Sequence, residues 1–266
     1  MYREIAIAGL GTLWVSEAGG AAARIPADGC ADIILRDDEL VVAGPSTRWV
    51  EARGSARLPT VGLRFAPGFA GAALAIDPTE ARDRVLPASE LLAKEVRERG
   101  ERALRSLLVP GALREAAAMI PRELGMDLDP AQPARVDLRW IPEVSAAARR
   151  EEPFARLSAR LGYSERQLRR RMLHTFGYGY AALRRVLRSE RARDLIGRGA
   201  SLAEAAELAG YADQSHLTRE FARVIGVTPS QLAAAKDSRR REQVGGANKG
   251  RGEQRQGVKK GGSKER

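Results

Sequence analysis

This sequence is poor in the groups that build disulfides, metal centres and membrane spans. Cys30 is the only cysteine among 266 residues, so no intrachain disulfide can form. It reads as a small core residue rather than a sensor thiol. One cysteine and two histidines, His174 and His216, cannot assemble a histidine–cysteine metal cluster. Asp28, Asp32, Asp37, Asp38 and Glu39 read as turn residues, so no metal is expected. No apolar run approaches the roughly 18 residues of a membrane helix, and no membrane partner is expected. Met1-Tyr2-Arg3-Glu4 carries an acid early, and the apolar stretch behind it is short and broken by glycine, unlike a signal peptide. Both absences fit a reducing, cytoplasmic setting. Gly9-Leu10-Gly11 lacks the third spaced glycine of a dinucleotide site. With no nucleophile–base set either, the chain reads as no enzyme, with no catalytic residue and no cofactor.

Positive charge is present in excess and is unevenly placed. The net charge is +11. Residues 1–152 hold 20 Lys/Arg against 23 Asp/Glu, or −3. Residues 153–236 hold 15 against 7, or +8, and residues 237–266 hold 10 against 4, or +6. A basic excess confined to the second half is the footprint of a polyanion binder.

The expected fold class is α+β: a β-rich N-terminal domain followed by helices, then an all-α domain with two helix-turn-helix units joined by a long helix. Ile33-Ile34-Leu35, Leu40-Val41-Val42 and Val61-Gly62-Leu63-Arg64-Phe65 are short apolar runs between turn signals such as Ala27-Asp28-Gly29 and Gly44-Pro45-Ser46. They predict a small antiparallel sheet or partial barrel over the first 76 or so residues. From Asp77 to about Gly125 the period turns helical, opened by Asp77-Pro78-Thr79-Glu80. Leu91, Leu92 and Val96 mark one helix and Leu104, Leu107 and Leu108 a second, with Gly100 between them. The predicted domains are a sensor or interaction domain over 1–126, a linker over 127–134, a DNA-binding domain over 135–235 and a disordered basic tail over 236–266. A helix from about Ala134 to Arg150 is expected to be interrupted or bent near Pro142.

The second half contains a degenerate repeat. Gly162-Tyr163 opens one copy and Gly210-Tyr211 the other; a capped, basic helix follows each, closing at Gly177 and Gly226. Leu168 then matches Leu217, and Met172 matches Phe221. Ser164 with Gln167, Ser201 with Glu204 and Thr228 with Gln231 are capping boxes, and Asp213 caps through its carboxylate. Phe154, Leu157 and Leu161 face a core in the first unit, as do Leu168, Met172 and Leu173. That leaves Arg166, Gln167, Arg169, Arg170 and Arg171 outside. In the second unit Leu202, Ala205, Ala206 and Leu208 build the support helix. Leu217 and Phe221 then point inward, leaving Gln214, Ser215, His216, Thr218 and Arg219 near the groove end. Arginine and glutamine in such first turns are the side chains that pair with guanine and adenine edges. His216 either braces the recognition helix or touches DNA. Leu183, Val186, Leu187, Ala192, Leu195 and Ile196 trace a long connecting helix ending at Gly197 or Gly199.

These residues resemble the AraC/XylS family of bacterial transcription regulators across about 135–235. The likeness is carried by Ser201 to Tyr211, Asp213 to Phe221 and Gly226-Val227-Thr228-Pro229. It implies a seven-helix domain with base-facing Arg166, Arg169 and Arg170 in the first unit and Gln214, Ser215, His216 and Arg219 in the second. Gly177-Tyr178-Gly179-Tyr180 departs from the family's Ser/Thr-Pro cap, which implies a looser or differently angled lead into the connecting helix. More weakly, Pro26, Asp28-Gly29-Cys30, Asp32-Ile33-Ile34-Leu35 and Gly62 to Gly68 resemble the small β-rich domain that precedes this module in some regulators. The implied function is sequence-specific regulation of transcription. Each monomer would place two recognition helices in successive major grooves of double-stranded DNA. RNA polymerase is the expected protein partner, with room for a small-molecule effector and a homodimer through the N-terminal region. The alternatives are a sequence-independent architectural DNA binder and an N-terminal enzyme fused to a DNA-binding domain.

Overall fold

The computed structural model describes residues 2–19, 23–52, 55, 57–109, 111–124, 138–236 and 238. The expected linker at 127–134 and all but residues 236 and 238 of the expected basic tail lie outside them. In chain order the strands and helices are β1 (Tyr2–Ile7), β2 (Gly11–Ser16), β3 (Ala23–Ile25), β4 (Ala31–Arg36), β5 (Glu39–Ala43), β6 (Val50–Ala52), β7 (Thr60–Phe65), α1 (Ala70–Leu74), α2 (Pro78–Ala81), β8 (Val85–Pro87), α3 (Ala88–Leu91), α4 (Lys94–Arg105), α5 (Leu113–Glu123), α6 (Trp140–Arg149), α7 (Phe154–Arg160), α8 (Glu165–Phe176), α9 (Tyr180–Arg198), α10 (Leu202–Ala209) and α11 (Gln214–Ile225). Residues 229–236 are helical as well.

Six strands form one antiparallel sheet in the order β1-β2-β7-β4-β5-β8, and β3 pairs with β6 in a separate ribbon. Period-two alternation gives the sheet two different faces. Leu13, Val15, Ile33, Leu35, Leu40, Val42, Val61, Leu63 and Phe65 are buried in one core with Ala103 and Leu104 of α4 and Ala116 and Ile120 of α5. Gly100 was expected to separate two helices; it lies inside α4 instead. The residue is buried where α4 packs on β4 and β5: a Cβ there would sit in ordinary contact with Leu40 Cδ2 at 3.5 Å and Ile33 Cδ1 at 3.8 Å, so packing on the sheet carries the helix through this position.

The opposite face carries Trp14, Asp32, Ile34, Val41, Ala43, Thr60 and Arg64, which with Ile25, Val50 and Ala52 of the ribbon wall a cavity of about 590 Å³. Gly62 makes room there for the Trp14 indole, whose Cζ2 would be 2.5 Å from an added Cβ.

The helical half has two cores. Trp140, Ile141, Val144, Leu157, Leu168, Met172, Phe176, Tyr178 and Leu183 fill one. Val186, Ala192, Ile196, Ala205, Ala206, Leu217, Phe221 and Val224 fill the other. The connecting helix α9 contributes to both, and at 19 residues it is about 28 Å long. Pro142 does not bend α6, because the helix starts at Trp140 and the proline falls in the first turn, where its missing N–H has no helical partner to lose.

Candidate nucleic-acid interface

Both recognition helices start at the caps expected of them. The Ser164 side chain accepts from the Gln167 amide at 3.3 Å while Gln167 Oε1 accepts from the Ser164 amide at 2.9 Å. Ser201 and Glu204 form the second box, and Thr228 and Gln231 a third. Asp213 accepts from the His216 amide at 2.6 Å. These bonds satisfy first-turn N–H groups that a helix cannot pair internally. They also fix where the first turn of each helix begins.

The first turns then differ in what they leave available. On α8, Arg166, Gln167, Arg169 and Arg170 are exposed. Gln167 has its Oε1 committed to the capping box, where it also accepts from the Ser164 hydroxyl at 2.8 Å. Arg169 pairs with Glu165 at 2.8 Å and lies over the Phe154 ring. Arg166 and Arg170 make no ion pair among the described residues. Arg171, expected outside, is folded against the domain, its guanidinium 4.8 Å from the Tyr163 ring centre and 5.0 Å from that of Trp140. Leu173, expected in the core, is 42% exposed, because the buried stripe of α8 runs through Leu168, Met172 and Phe176. Leu208 of α10 is likewise 51% exposed, with Ala205, Ala206 and Ala209 taking the inward face.

On α11, Gln214, Ser215 and Arg219 are exposed and His216 is half-buried. His216 acts as a brace: its ring packs edge-on against Tyr211, and its Nε2 lies 3.6 Å from Glu220. Thr218 spends its hydroxyl on the Gln214 carbonyl at 2.8 Å. Glu220 is the anchor of this helix. It accepts from Arg188 of α9 at 2.6 Å and from Arg185 at 3.3 Å. Burial pushes its carboxyl up, but the Arg188 bond and charge, with Arg185 behind them, outweigh that and hold it below the ordinary range. This cross-helix tie was not foreseen, although Arg185, Arg188 and Glu220 all sit on helices the repeat had located.

The C-terminal ends of both recognition helices are covered by the sheet domain. On α11, the Arg223 carbonyl accepts from the Trp49 amide at 3.3 Å and the Val224 carbonyl from the Ala27 amide at 2.9 Å. The Gly226 carbonyl accepts from the Arg24 guanidinium at 2.9 Å. On α8, the Gly177 carbonyl accepts from Arg82 at 3.5 Å. Just beyond it, the buried Tyr178 donates its hydroxyl to the Gly29 carbonyl at 2.9 Å. The Gly177 to Tyr180 exit, expected to be looser or differently angled, is pinned rather than loose. Tyr180 adds a hydroxyl bond to the Glu152 carbonyl at 2.9 Å.

The cavity has one polar end. Arg64 Nε lies 3.3 Å from both Asp28 and Asp32, and Trp14 Nε1 donates to Asp32 at 2.9 Å. Burial pushes Asp32 up to about 6 against the pull of Arg64. Burial also raises the Cys30 thiol well above its ordinary value, with Asp28 and Asp32 adding to the rise. Among the described residues no group of three or more His, Cys, Asp and Glu could hold a metal ion. No described helix is long and apolar enough to cross a membrane.

Residues 157–235 match the family described as a helix-turn-helix domain. No curated protein matches the chain. Among solved structures, it is similar to the xylose-binding transcription activator xylR at 17% identity and a TM-score of 0.33, covering 47% of this chain and 39% of that one. The chain thus spans well under half the length of that activator. It is also similar to ToxT from Vibrio cholerae at 11% identity and a TM-score of 0.43, covering 87% of this chain and 97% of that one. The same protein bound to an unsaturated fatty acid matches at 11% identity and 0.41, covering 83% and 93%.

Proposed function

We propose that this chain, a DNA-binding transcription regulator through its AraC-type helix-turn-helix domain at residues 157–235, reads two successive major-groove segments with α8 and α11 of one monomer. One observation carries this. The two recognition helices belong to one repeat, are capped alike, and hang from one continuous helix of 19 residues. That helix is about 28 Å long and is shared by the cores of both units, which suits two reading helices carried on one rigid support. Arg166 and Arg170 serve the first segment, and Gln214, Ser215 and Arg219 the second. Arg169 joins them once DNA phosphate competes for its pairing with Glu165. Gln167 and His216 position their helices more than they read bases. Selection of binding sites from a random duplex pool, followed by footprinting, tests the reading. It is supported by an enriched site with two protected segments about one helical turn apart. A footprint of a single segment, or no enrichment, refutes it.

A small-molecule effector belongs to the same proposal, supported by the cavity on the free face of the sheet. Its apolar walls and its Asp28–Arg64–Asp32 end suit a ligand with an apolar body and one polar group. Ile25, Asp28 and Cys30 line it from the same short segment whose Ala27 and Gly29 hold the recognition helices.

A further inference from the structure

We infer that the sheet domain is itself a positioning element of the DNA reader: by capping the C-terminal ends of α8 and α11 together, it sets the spacing between the two groove segments that the protein accepts. The inference rests on the two-groove reading above.

A helix leaves its last four carbonyls without internal partners. On α11, the sheet domain supplies two of the missing donors, Trp49 N–H for Arg223 and Ala27 N–H for Val224. Arg24 adds a cation at the negative end of the helix dipole through the Gly226 carbonyl. Its guanidinium is itself held 5.1 Å from the Trp49 ring centre. Past the end of α8 the contacts run in both directions: Arg82 donates to the Gly177 carbonyl, and Tyr178 donates its hydroxyl to the Gly29 carbonyl of the sheet domain. Phe176, the last residue of α8, packs over Gly68, where an added Cβ would meet its ring at 2.9 Å. Gly29, Ala27 and Arg24 lie within six residues of one another, so one short stretch of chain reaches both helix ends.

The closing glycines show how tightly the two ends are held. A Cβ at Gly177 would meet the Pro78 carbonyl oxygen at 2.7 Å and Pro45 Cγ at 2.9 Å. A Cβ at Gly226 would meet Trp49 Cγ at 2.8 Å. The glycines that close α9 and α10, Gly199 and Gly210, have no such neighbour: nothing lies within 4 Å of the latter, and only Lys236 Nζ, at 3.8 Å, near the former. Among these four closing glycines, close approach of the sheet domain occurs at the two that end the recognition helices. It also leaves their N-terminal, base-facing turns exposed. The contact holds the helices without covering what they read. Helix α9 already joins the cores of both units, and the bonds to a common third body add a second connection between the far ends of α8 and α11.

The experiment uses the full chain and the duplex recovered by selection, rebuilt with zero, one, two or three base pairs inserted between its two segments. Single-segment duplexes serve as the control. Two inserted pairs move one segment by about 7 Å and turn it by about 70°. Wild type should lose at least roughly tenfold in affinity for the two-pair insertion, as expected for a rigidly spaced reader. Arg24→Gln combined with Tyr178→Phe should lose no more than about threefold, with single-segment affinity unchanged. Arg24→Lys should restore the sharp profile, because it keeps the cation on the Gly226 carbonyl. Arg24 is exposed and Tyr178→Phe keeps the ring, so both changes leave the cores filled. A spacing profile in the double variant as sharp as that of wild type overturns the inference. A wild type with no spacing optimum overturns the two-groove reading, and the inference with it.

Discussion

Replacing Gly226 by alanine should cost far more than the same change at Gly210, although both residues end a helix in the left-handed conformation, with φ of +85° and +84°. A Cβ in that conformation costs about 1–2 kcal/mol wherever it is placed. At Gly210 nothing lies within 4 Å, so this strain is the whole effect. At Gly226 the new methyl would sit 2.8 Å from Cγ and 3.0 Å from Cδ2 of Trp49. That ring is fixed by its own amide bond to Arg223 and by the Arg24 guanidinium stacked on it. Forcing a methyl into such a contact adds about 1–3 kcal/mol. The expected totals are about 2–5 kcal/mol for Gly226→Ala and about 1–2 kcal/mol for Gly210→Ala. Gly177→Ala should behave like Gly226→Ala, because the Pro78 carbonyl and the Pro45 ring are equally unable to move away. Gly199→Ala should behave like Gly210→Ala. Urea unfolding of the four variants, followed by far-ultraviolet circular dichroism, measures the difference. If Gly226→Ala and Gly210→Ala fall within about 0.5 kcal/mol of each other, the sheet domain does not hold the end of α11 as described.

Arg170→Ala and Arg219→Ala should each cost about 1–3 kcal/mol on the selected duplex and relax base preference at the position each side chain meets. Unchanged preference in a titration against single-base variants would remove both from the groove. Glu220→Gln leaves Arg185, Arg188 and His216 without their common carboxylate at a half-buried site and should destabilise the fold by about 1–2 kcal/mol, read as a lowered thermal midpoint; a neutral substitution would show that the tie between α9 and α11 is ornamental. Asp32, raised to about 6 by burial, binds a proton more tightly in the folded chain than in the unfolded chain, where a carboxyl titrates at about 3.9. Its contribution to stability is therefore complete below about pH 4 and is lost as pH rises to about 6, a fall of about 1–3 kcal/mol that Asp32→Asn should abolish. Identical pH profiles of urea midpoint for the two proteins would contradict this assignment.

What the sequence made legible was local. Ser164 with Gln167, Ser201 with Glu204, and Asp213 each signal a helix start within three residues, and each start stands where its cap placed it. The strands Ile33–Leu35, Leu40–Val42 and Val61–Phe65 announced themselves by β-branched and apolar runs between turns, and all three lie in the main sheet. The hairpin of β1 and β2 did not. Its first strand carries Arg3 and Glu4, and its most polar residues face out at the sheet edge, so little apolar alternation survives. The short strand β8 is masked by Pro87 and by the helical period on either side. Gly100 misled because a buried glycine in a helix and a glycine between two helices look alike until the surface the helix packs on is known. The cavity and the helix-end contacts were invisible for a different reason. Tyr178 meets Gly29 across 149 residues, and Arg24 meets Gly226 across 202. The turn segments around Asp28 and Pro45 punctuate strands in any reading of the chain; only the folded molecule gives them a second use.

The sheet domain holds α11 through main-chain carbonyls and Gly226, and α8 through Gly177, Phe176 and Tyr178. No side chain from the base-facing turns takes part. Substitutions at 166, 169, 170, 214, 215 and 219 therefore leave every one of these contacts in place. On the proposed two-groove reading, what the chain selects on DNA and what joins its two halves are thus separable: the first could change at those positions while the second stays intact.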